Sequence, residues 1–310
     1  MLVVVLVLSV LANFFLFMML VGMAAFFSIG HRGIFVEEVI EKGPRTSKIA
    51  VINLAGVITK RQAEDIRKQL TAAREDKAVK GVILRVNSPG GTISASDQIY
   101  NELRKWREET HRPAIAFMEG VAASGGYYAS VACDKIVAEP TAITGSIGVI
   151  MSYFVLEELL ENKLGIKPVV VKGGARKDWP SLFKTPSPEQ LQYLDDKLIK
   201  PAHKRFKEIV TDSRESLTAA DVNELADGSI YGASEALEAK LIDAVGYLDK
   251  ATEVVKELAG IDEATVVEYR RAFSFYDFLG AKTSTGFLRL DKTRLFELNT
   301  PEAFYLWSGY

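Results

Sequence analysis

Histidine and cysteine are nearly missing from this sequence. Three histidines (His31, His111 and His203) and a single cysteine, Cys133, are all that its 310 residues contain. One cysteine excludes an intrachain disulfide and any metal site built on a cysteine cluster. In the apolar run Ala129–Cys133 it reads as a small buried residue. Excess charge is missing as well. Lys and Arg number 38 against 40 Asp and Glu, with no basic stripe, which speaks against a nucleic-acid partner. Neither a Walker A pattern nor G-x-G-x-x-G occurs, so no phosphate loop is indicated. Internal repeats are absent too, and a second catalytic module is not expected.

The first 30 residues lack charge altogether and are mostly Leu, Val, Phe, Met and Ala. About 20 apolar residues in a helix cross a bilayer core of roughly 30 Å, so this run is long enough to span it. A cleavable signal peptide would show a basic start and an apolar core of only about 7–15 residues. Neither is present. Residues 1–30 therefore read as an uncleaved transmembrane anchor, with Met23-Ala24-Ala25 leaving a weak cleavage alternative. Arg32 follows the span, and the positive-inside rule leans on it toward a cytoplasmic C-terminal domain.

Beyond a polar linker at 31–47, short apolar runs alternate with helical periodicity. Strands are expected at Lys48–Ile58, Gly81–Val86, Ala114–Met118, Ile136–Ala138 and Val169–Val171. Helices are expected at Arg61–Glu75, Ser94–Glu108, Ala219–Leu225, Ala233–Lys240 and Leu248–Leu258, with one long helix over Pro188–Val210. That alternation predicts an α/β domain at 48–260 with a largely parallel sheet, its site beyond the carboxyl ends of the strands. A C-terminal extension, 261–310, is rich in aromatics (Tyr269, Phe273, Phe275, Phe304, Tyr305, Trp307) without clear periodicity.

The stretch Gly120–Ser130 places Ser124 among small residues at an expected strand-to-helix junction. There a hydroxyl is exposed near free N–H groups that can hold an oxyanion. Ser124 can equally be a helix cap beside glycines that permit close packing. A nucleophilic serine needs a base, and histidine is the usual one. Yet His31 flanks the anchor, His203 lies in the charged stretch His203–Lys207, and His111 opens the strand whose far end carries Ser124. Each reads most simply as a surface residue. Lysine can serve if its pKa falls about 3 units from roughly 10.4, at a cost near 4 kcal/mol, which demands an apolar, partly buried setting. Lys177, in Lys172-Gly-Gly-Ala-Arg-Lys-Asp-Trp-Pro180, is the best placed; a basic surface loop is the plainer account of the same residues. Asn87-Ser-Pro-Gly-Gly91 follows a strand, and its glycines let backbone N–H groups approach a ligand, or simply make a β-to-α turn. Ser146, in Thr144-Gly-Ser-Ile-Gly-Val149, could hydrogen-bond a neutral lysine amine or be an ordinary turn serine.

In this order, Asn87–Gly91, Ala122–Tyr128, Thr144–Val149, Arg176–Asp178 and Leu225–Gly232 resemble the SppA-type signal peptide peptidases, over about Ile49–Ala251. The resemblance implies a Clp/crotonase-like α/β fold of repeated β-β-α units behind an N-terminal transmembrane helix. It implies Ser124 as nucleophile and Lys177 as general base of a Ser-Lys dyad. Ser146 would contact the lysine, and Gly90 and Gly91, with the N–H groups near Ser124 such as that of Gly125, would form the oxyanion hole. The family commonly carries Tyr before its lysine, where Arg176 stands here; a second positive charge would help depress the lysine pKa. The resemblance further implies peptide substrates, signal-peptide remnants among them, and no metal or organic cofactor. It also implies a homo-oligomer, an octamer in the short form, with sites at protomer interfaces and the aromatic tail on a neighbour or at the membrane. An extracytoplasmic catalytic domain follows from it, against the Arg32 argument. Two rivals are a crotonase-like acyl-CoA enzyme, which would normally use a carboxylate where Glu119 and Glu139 stand outside the motif glycines, and a non-catalytic membrane scaffold.

Overall fold

A computed structural model describes residues 2–29, 35–271 and 303–307. His31, Arg32, Phe273, Phe275 and most of the aromatic tail lie outside the described residues. The chain divides into two compact units, Met1–Glu38 with Tyr269–Gly286, and Val39–Glu268 with Phe287–Tyr310.

The first unit carries helix α1 (Leu2–Ile29), uncharged throughout. Val3–Gly22 is long and apolar enough to cross a membrane, a description that fits an anchor and a signal sequence alike. Strand β1 (Phe35–Glu41) follows, within the segment expected as linker.

The second unit begins with β2 (Lys48–Ala55), α2 (Lys60–Glu75), β3 (Val79–Ser88), β4 (Gly90–Thr92), α3 (Ile93–Thr110), β5 (Ala114–Ala123) and α4 (Gly125–Ser130). It continues through β6 (Lys135–Ala138), β7 (Ile143–Gly145), β8 (Ile150–Met151), α5 (Pro188–Leu194), α6 (Lys200–Ser213), α7 (Ala219–Leu225) and β9 (Ile230–Gly232). Helix α8 (Ala233–Glu238), β10 (Ala244–Val245), α9 (Leu248–Ala259), β11 (Thr265–Arg271) and β12 (Ala303–Leu306) complete the described elements.

Strands β11, β2, β3, β5, β6 and β10 pair in that order, all parallel. Such strands are covered on both faces, which is why they read as near-continuous apolar runs. Ile49, Val51, Ile83, Ile115, Phe117 and Val137 point to one face and close over Ala251 and Val255 of α9. The alternate residues Ala50, Ile52 and Leu54 are equally buried on the other face, where α2 and α3 lie. Farther along the α9 face the pattern turns polar: Arg85 donates two hydrogen bonds to Glu119 (2.9 and 2.5 Å), and Asn53 bonds Glu268.

Two expectations fail locally. Val169–Val171 is not a strand: Val169 and Val171 stand 85% and 95% exposed, and none of the described strands pairs with them. Nor is Pro188–Val210 one regular helix. A wide π turn at Asp195–Ile199 separates α5 from α6 just ahead of Pro201. Proline has no N–H, and its ring collides with the carbonyl four residues earlier, so a regular α-helix cannot pass.

Candidate active site

Strand β5 is longer than its apolar core suggests because it changes partners. Ile115–Met118 pair with β6, and Val121–Ala123 pair with β7. Gly120 sits between, with φ at +66°, a conformation that costs glycine little. The register against β3 shifts at the same place, between Val86 and Ser88. The strand is thereby carried past the sheet edge and delivers Ser124 onto the first turn of α4.

Ser124 is buried, and its backbone (φ 52°, ψ −112°) lies where a non-glycine residue is strained. Two hydrogen bonds hold it there. Its N–H donates to the Gly145 carbonyl at 2.8 Å, and its carbonyl accepts from Tyr128 N–H at 2.8 Å. The hydroxyl caps nothing, so the cap reading of this serine fails. What the backbone holds in place is an unengaged Oγ at a helix N-terminus.

The Asn87–Gly91 turn lies against this serine. A Cβ on Gly90 would fall 2.7 Å from Gly125 N, and one on Gly125 would fall 3.1 Å from Gly90 Cα, so only glycine fits at either place. Gly90 N–H is already engaged, donating to Ser88 Oγ at 3.1 Å, while Ser88 Oγ donates to the Gly56 carbonyl at 2.6 Å. The Gly125 N–H opens α4 and has no intrahelical acceptor.

A segment of the aromatic tail fills the groove. Strand β12 runs antiparallel between β4 and β8, pairing Tyr305 with Gly91 and Phe304 with Ile150. Trp307 N–H donates to the Pro89 carbonyl at 2.8 Å. Since bonded pairs alternate in an antiparallel ladder, Tyr305–Gly91 is the next bonded pair, with Gly91 N–H facing the Tyr305 carbonyl. That oxygen lies 1.9 Å from the Cβ position of Gly90 and 3.0 Å from that of Gly125. A carbonyl oxygen is thus walled by Gly90, Gly91 and Gly125 beside Ser124. The Tyr305 ring is fully buried, stacked on Tyr128 at 4.8 Å and against Phe206 at 4.8 Å, and its hydroxyl donates to the Ala202 carbonyl at 2.8 Å. For Tyr305, packing is within its own chain, where a neighbour or the membrane was expected.

Ser146 is buried with φ at 48°, and its N–H donates to the Ser229 carbonyl at 2.7 Å. It lines a cavity of about 320 Å³ together with Ile150, Ile199, His203, Asp227 and Trp307. His203 is therefore no simple surface residue; α6 turns it inward, one helical turn before buried Phe206. Nothing in its charged neighbourhood signalled that. His111 caps the C-terminal end of α3, ahead of β5 and opposite the serine, as read.

Lys177 stands apart from this arrangement. It is exposed in a turn closed by its own N–H to the Gly174 carbonyl at 3.2 Å. Lys172 is engaged by Asp178 at 2.5 Å and by the Ala175 carbonyl at 2.8 Å. Arg176 lies over the rings of Trp179 and Tyr193, at 5.4 and 4.8 Å. No lysine of the described residues hydrogen-bonds Ser124 within one chain. Burial drives the Cys133 thiol up to about 12, which leaves it inert as a nucleophile.

Peptidase family S49 matches residues 107–262 and the Clp protease family matches residues 37–143. The chain belongs to peptidase family S49. A protein of Enterococcus faecium, assigned by name as a signal peptide peptidase SppA, is 39% identical over 76% of this chain and 70% of its own length. The chloroplastic serine protease SPPA of Arabidopsis thaliana is 35% identical over 67% of this chain, and protease 4 of Haemophilus influenzae 32% over 72%. The chain spans only 31% and 36% of those two proteins' lengths. As an S49 member on a Clp-protease-like fold it is a serine protease, a hydrolase of peptide bonds.

Proposed function

We propose that this S49 protease is an endopeptidase anchored by residues 1–30 that cleaves signal-peptide remnants and other short or unfolded apolar peptides. Ser124 is the nucleophile and Lys177 the general base. One observation carries the reading: a main-chain carbonyl of an extended strand lodges among Gly90, Gly91 and Gly125, and Gly125 directly follows Ser124, whose hydroxyl caps nothing. A substrate peptide would add to β4 in place of β12, a mode in which main-chain hydrogen bonds supply affinity. Ser124 Oγ then attacks the carbonyl carbon while its proton passes to a neutral lysine amine. Gly91 and Gly125 N–H groups stabilise the oxyanion, and Gly90 serves by having no side chain. Collapse expels the amine, protonated by the same lysine, which next activates water to release the acyl group.

Lys177 reaches a serine by assembly. Its arm exposes Phe154, Leu164, Ile166, Val169 and Val171, an apolar surface that a second copy would cover. Docking there would bury the lysine, the condition under which an ammonium gives up its proton. Ser124 and Lys177 are therefore contributed by neighbouring chains of a ring-like homo-oligomer, an octamer by family resemblance, on the extracytoplasmic side. Purified full-length protein in detergent should hydrolyse an internally quenched apolar peptide, and Ser124→Ala and Lys177→Ala should each abolish turnover. Mixing the two inactive variants and letting subunits exchange should restore part of it, because some interfaces then join an intact serine to an intact lysine. Full activity in both single variants would sink the assignment.

A further inference from the structure

The cavity lined by Ser146 holds a polar group with nothing to bond among the described residues. His203 Nε2 is shielded from solvent and has no hydrogen-bond partner among the described residues. Leaving a buried polar atom unpaired costs about 1–3 kcal/mol, and such atoms are rare enough to ask what would satisfy them. Around it the walls are mostly apolar: Val149, Ile150 and Ile199, with Leu306 and Trp307 of the tail. Those two tail residues follow the lodged Tyr305 carbonyl, so they stand where the residues after the cut bond of a substrate would lie. The site's occupant in this structure thus presents apolar side chains to an imidazole that lacks a partner. Asp227, also in the cavity wall, accepts from Ser229 N–H at 2.8 Å within its own turn and leaves His203 unbonded.

We infer that His203 is a specificity-determining residue on the leaving side of the scissile bond. It selects peptides whose first or second residue after the cut carries an uncharged hydrogen-bonding side chain (Ser, Thr, Asn or Gln). An imidazole nitrogen can donate or accept according to tautomer, so both hydroxyl and amide side chains suit it. The Asp227 carboxylate in the same wall disfavours acidic residues there. This inference rests on the peptidase reading above and on substrates taking the path of β12.

The test uses full-length protein in detergent and two sets of quenched peptides, identical before the cut and carrying Ser or Asn against Leu after it. Wild-type kcat/KM should favour the polar set. His203→Ala should lower the ratio of polar to apolar kcat/KM about tenfold, mostly through KM, the size expected for one hydrogen bond of about 1.4 kcal/mol. His203→Gln, which keeps a donor and an acceptor, should recover part of that ratio. An unchanged ratio in an active His203→Ala enzyme overturns the inference and spares the peptidase reading. Equal losses on both sets overturn it too, in favour of a packing role on α6. A wild type that cleaves neither set overturns both readings together.

Discussion

The segments bearing Ser124 and Lys177 are built in opposite ways. From Ala114 to Ser130 nearly every residue is buried, Ser124 is held in a strained conformation by hydrogen bonds, and Gly125 and Gly126 touch other main chain. From Tyr153 to Pro186 no residue is fully buried, apolar side chains face solvent, and the hydrogen bonds stay within the segment. Both segments carry a motif residue of equal weight in the sequence. The segment of Ser124 is packed within a single chain; that of Lys177 leaves Phe154, Leu164, Val169 and Val171 exposed. On the proposed reading, a rigid half-site of this kind is preorganised but stays inactive until a neighbouring chain supplies the base.

The strongest way to break that contrast is at the preorganised half. Ser124→Ala should reduce kcat about 10⁴- to 10⁶-fold while leaving the melting temperature close to wild type, since the hydroxyl makes no cap hydrogen bond among the described residues. A comparable loss of folded protein would mean that the serine is structural. Gly90→Ala should come next, at about 10²- to 10³-fold, the cost of spoiling an oxyanion hole. The new Cβ would meet the Tyr305 carbonyl at 1.9 Å, and main chain with φ at +101° cannot yield to it. A substrate carbonyl placed in the same position would be expelled alike, so kinetics with wild-type-like circular dichroism is the check.

The exposed half gives a smaller, concentration-dependent effect. Val169→Asp with Val171→Asp puts charge on the surface proposed to dock a second copy, where an unpaired charge is costly to bury. Sedimentation should show smaller species, and activity at submicromolar protein should fall about 10- to 100-fold and recover partly as concentration rises. Unchanged mass with unchanged activity would show that the arm is not an interface and that Lys177 reaches its serine by another route.

What could be read beforehand follows the same division. Buried parallel strands announce themselves because both faces are covered, so β3, β5 and β6 were legible from apolar runs and bounding turns. The strand-to-helix junction at Ser124 and the Gly90–Gly91 turn were legible as turns because small residues and glycines cluster at strand ends, while their roles stayed open. Val169–Val171 misled because three valines look like a strand whether the cover is a sheet or another chain. The groove's occupant was invisible: β12 is four residues long, and its pairing with β4 lies more than 200 residues away in sequence. His203 was hidden by its charged neighbours Lys204, Arg205 and Lys207, since only the helix phase set by Phe206 and Val210 turns it inward.

The mildest perturbation tests the scaffold beneath the serine half alone. Asp243 accepts from Arg214 at 2.7 Å and from Ile136 N–H at 2.8 Å, tying the α6 end to β6. Burial by itself would raise this carboxyl. The hydrogen bond and charge of Arg214, with Ile136 N–H and Lys135, outweigh it and hold the pKa below the ordinary aspartate value. A depressed folded-state pKa means stability that is present above the unfolded value of about 3.9 and is lost as pH falls through the folded one. Asp243→Asn should therefore lower the melting temperature by a few degrees at pH 7, for a loss of about 1–3 kcal/mol. Once pH has fallen through that folded-state pKa the two proteins should converge, because wild type has by then lost the same interaction. Peptidase activity at 25 °C should stay within about twofold, since neither β5 beyond Met118 nor the Lys177 arm depends on this pair. A melting difference that persists at acid pH would assign the effect to packing and not to charge.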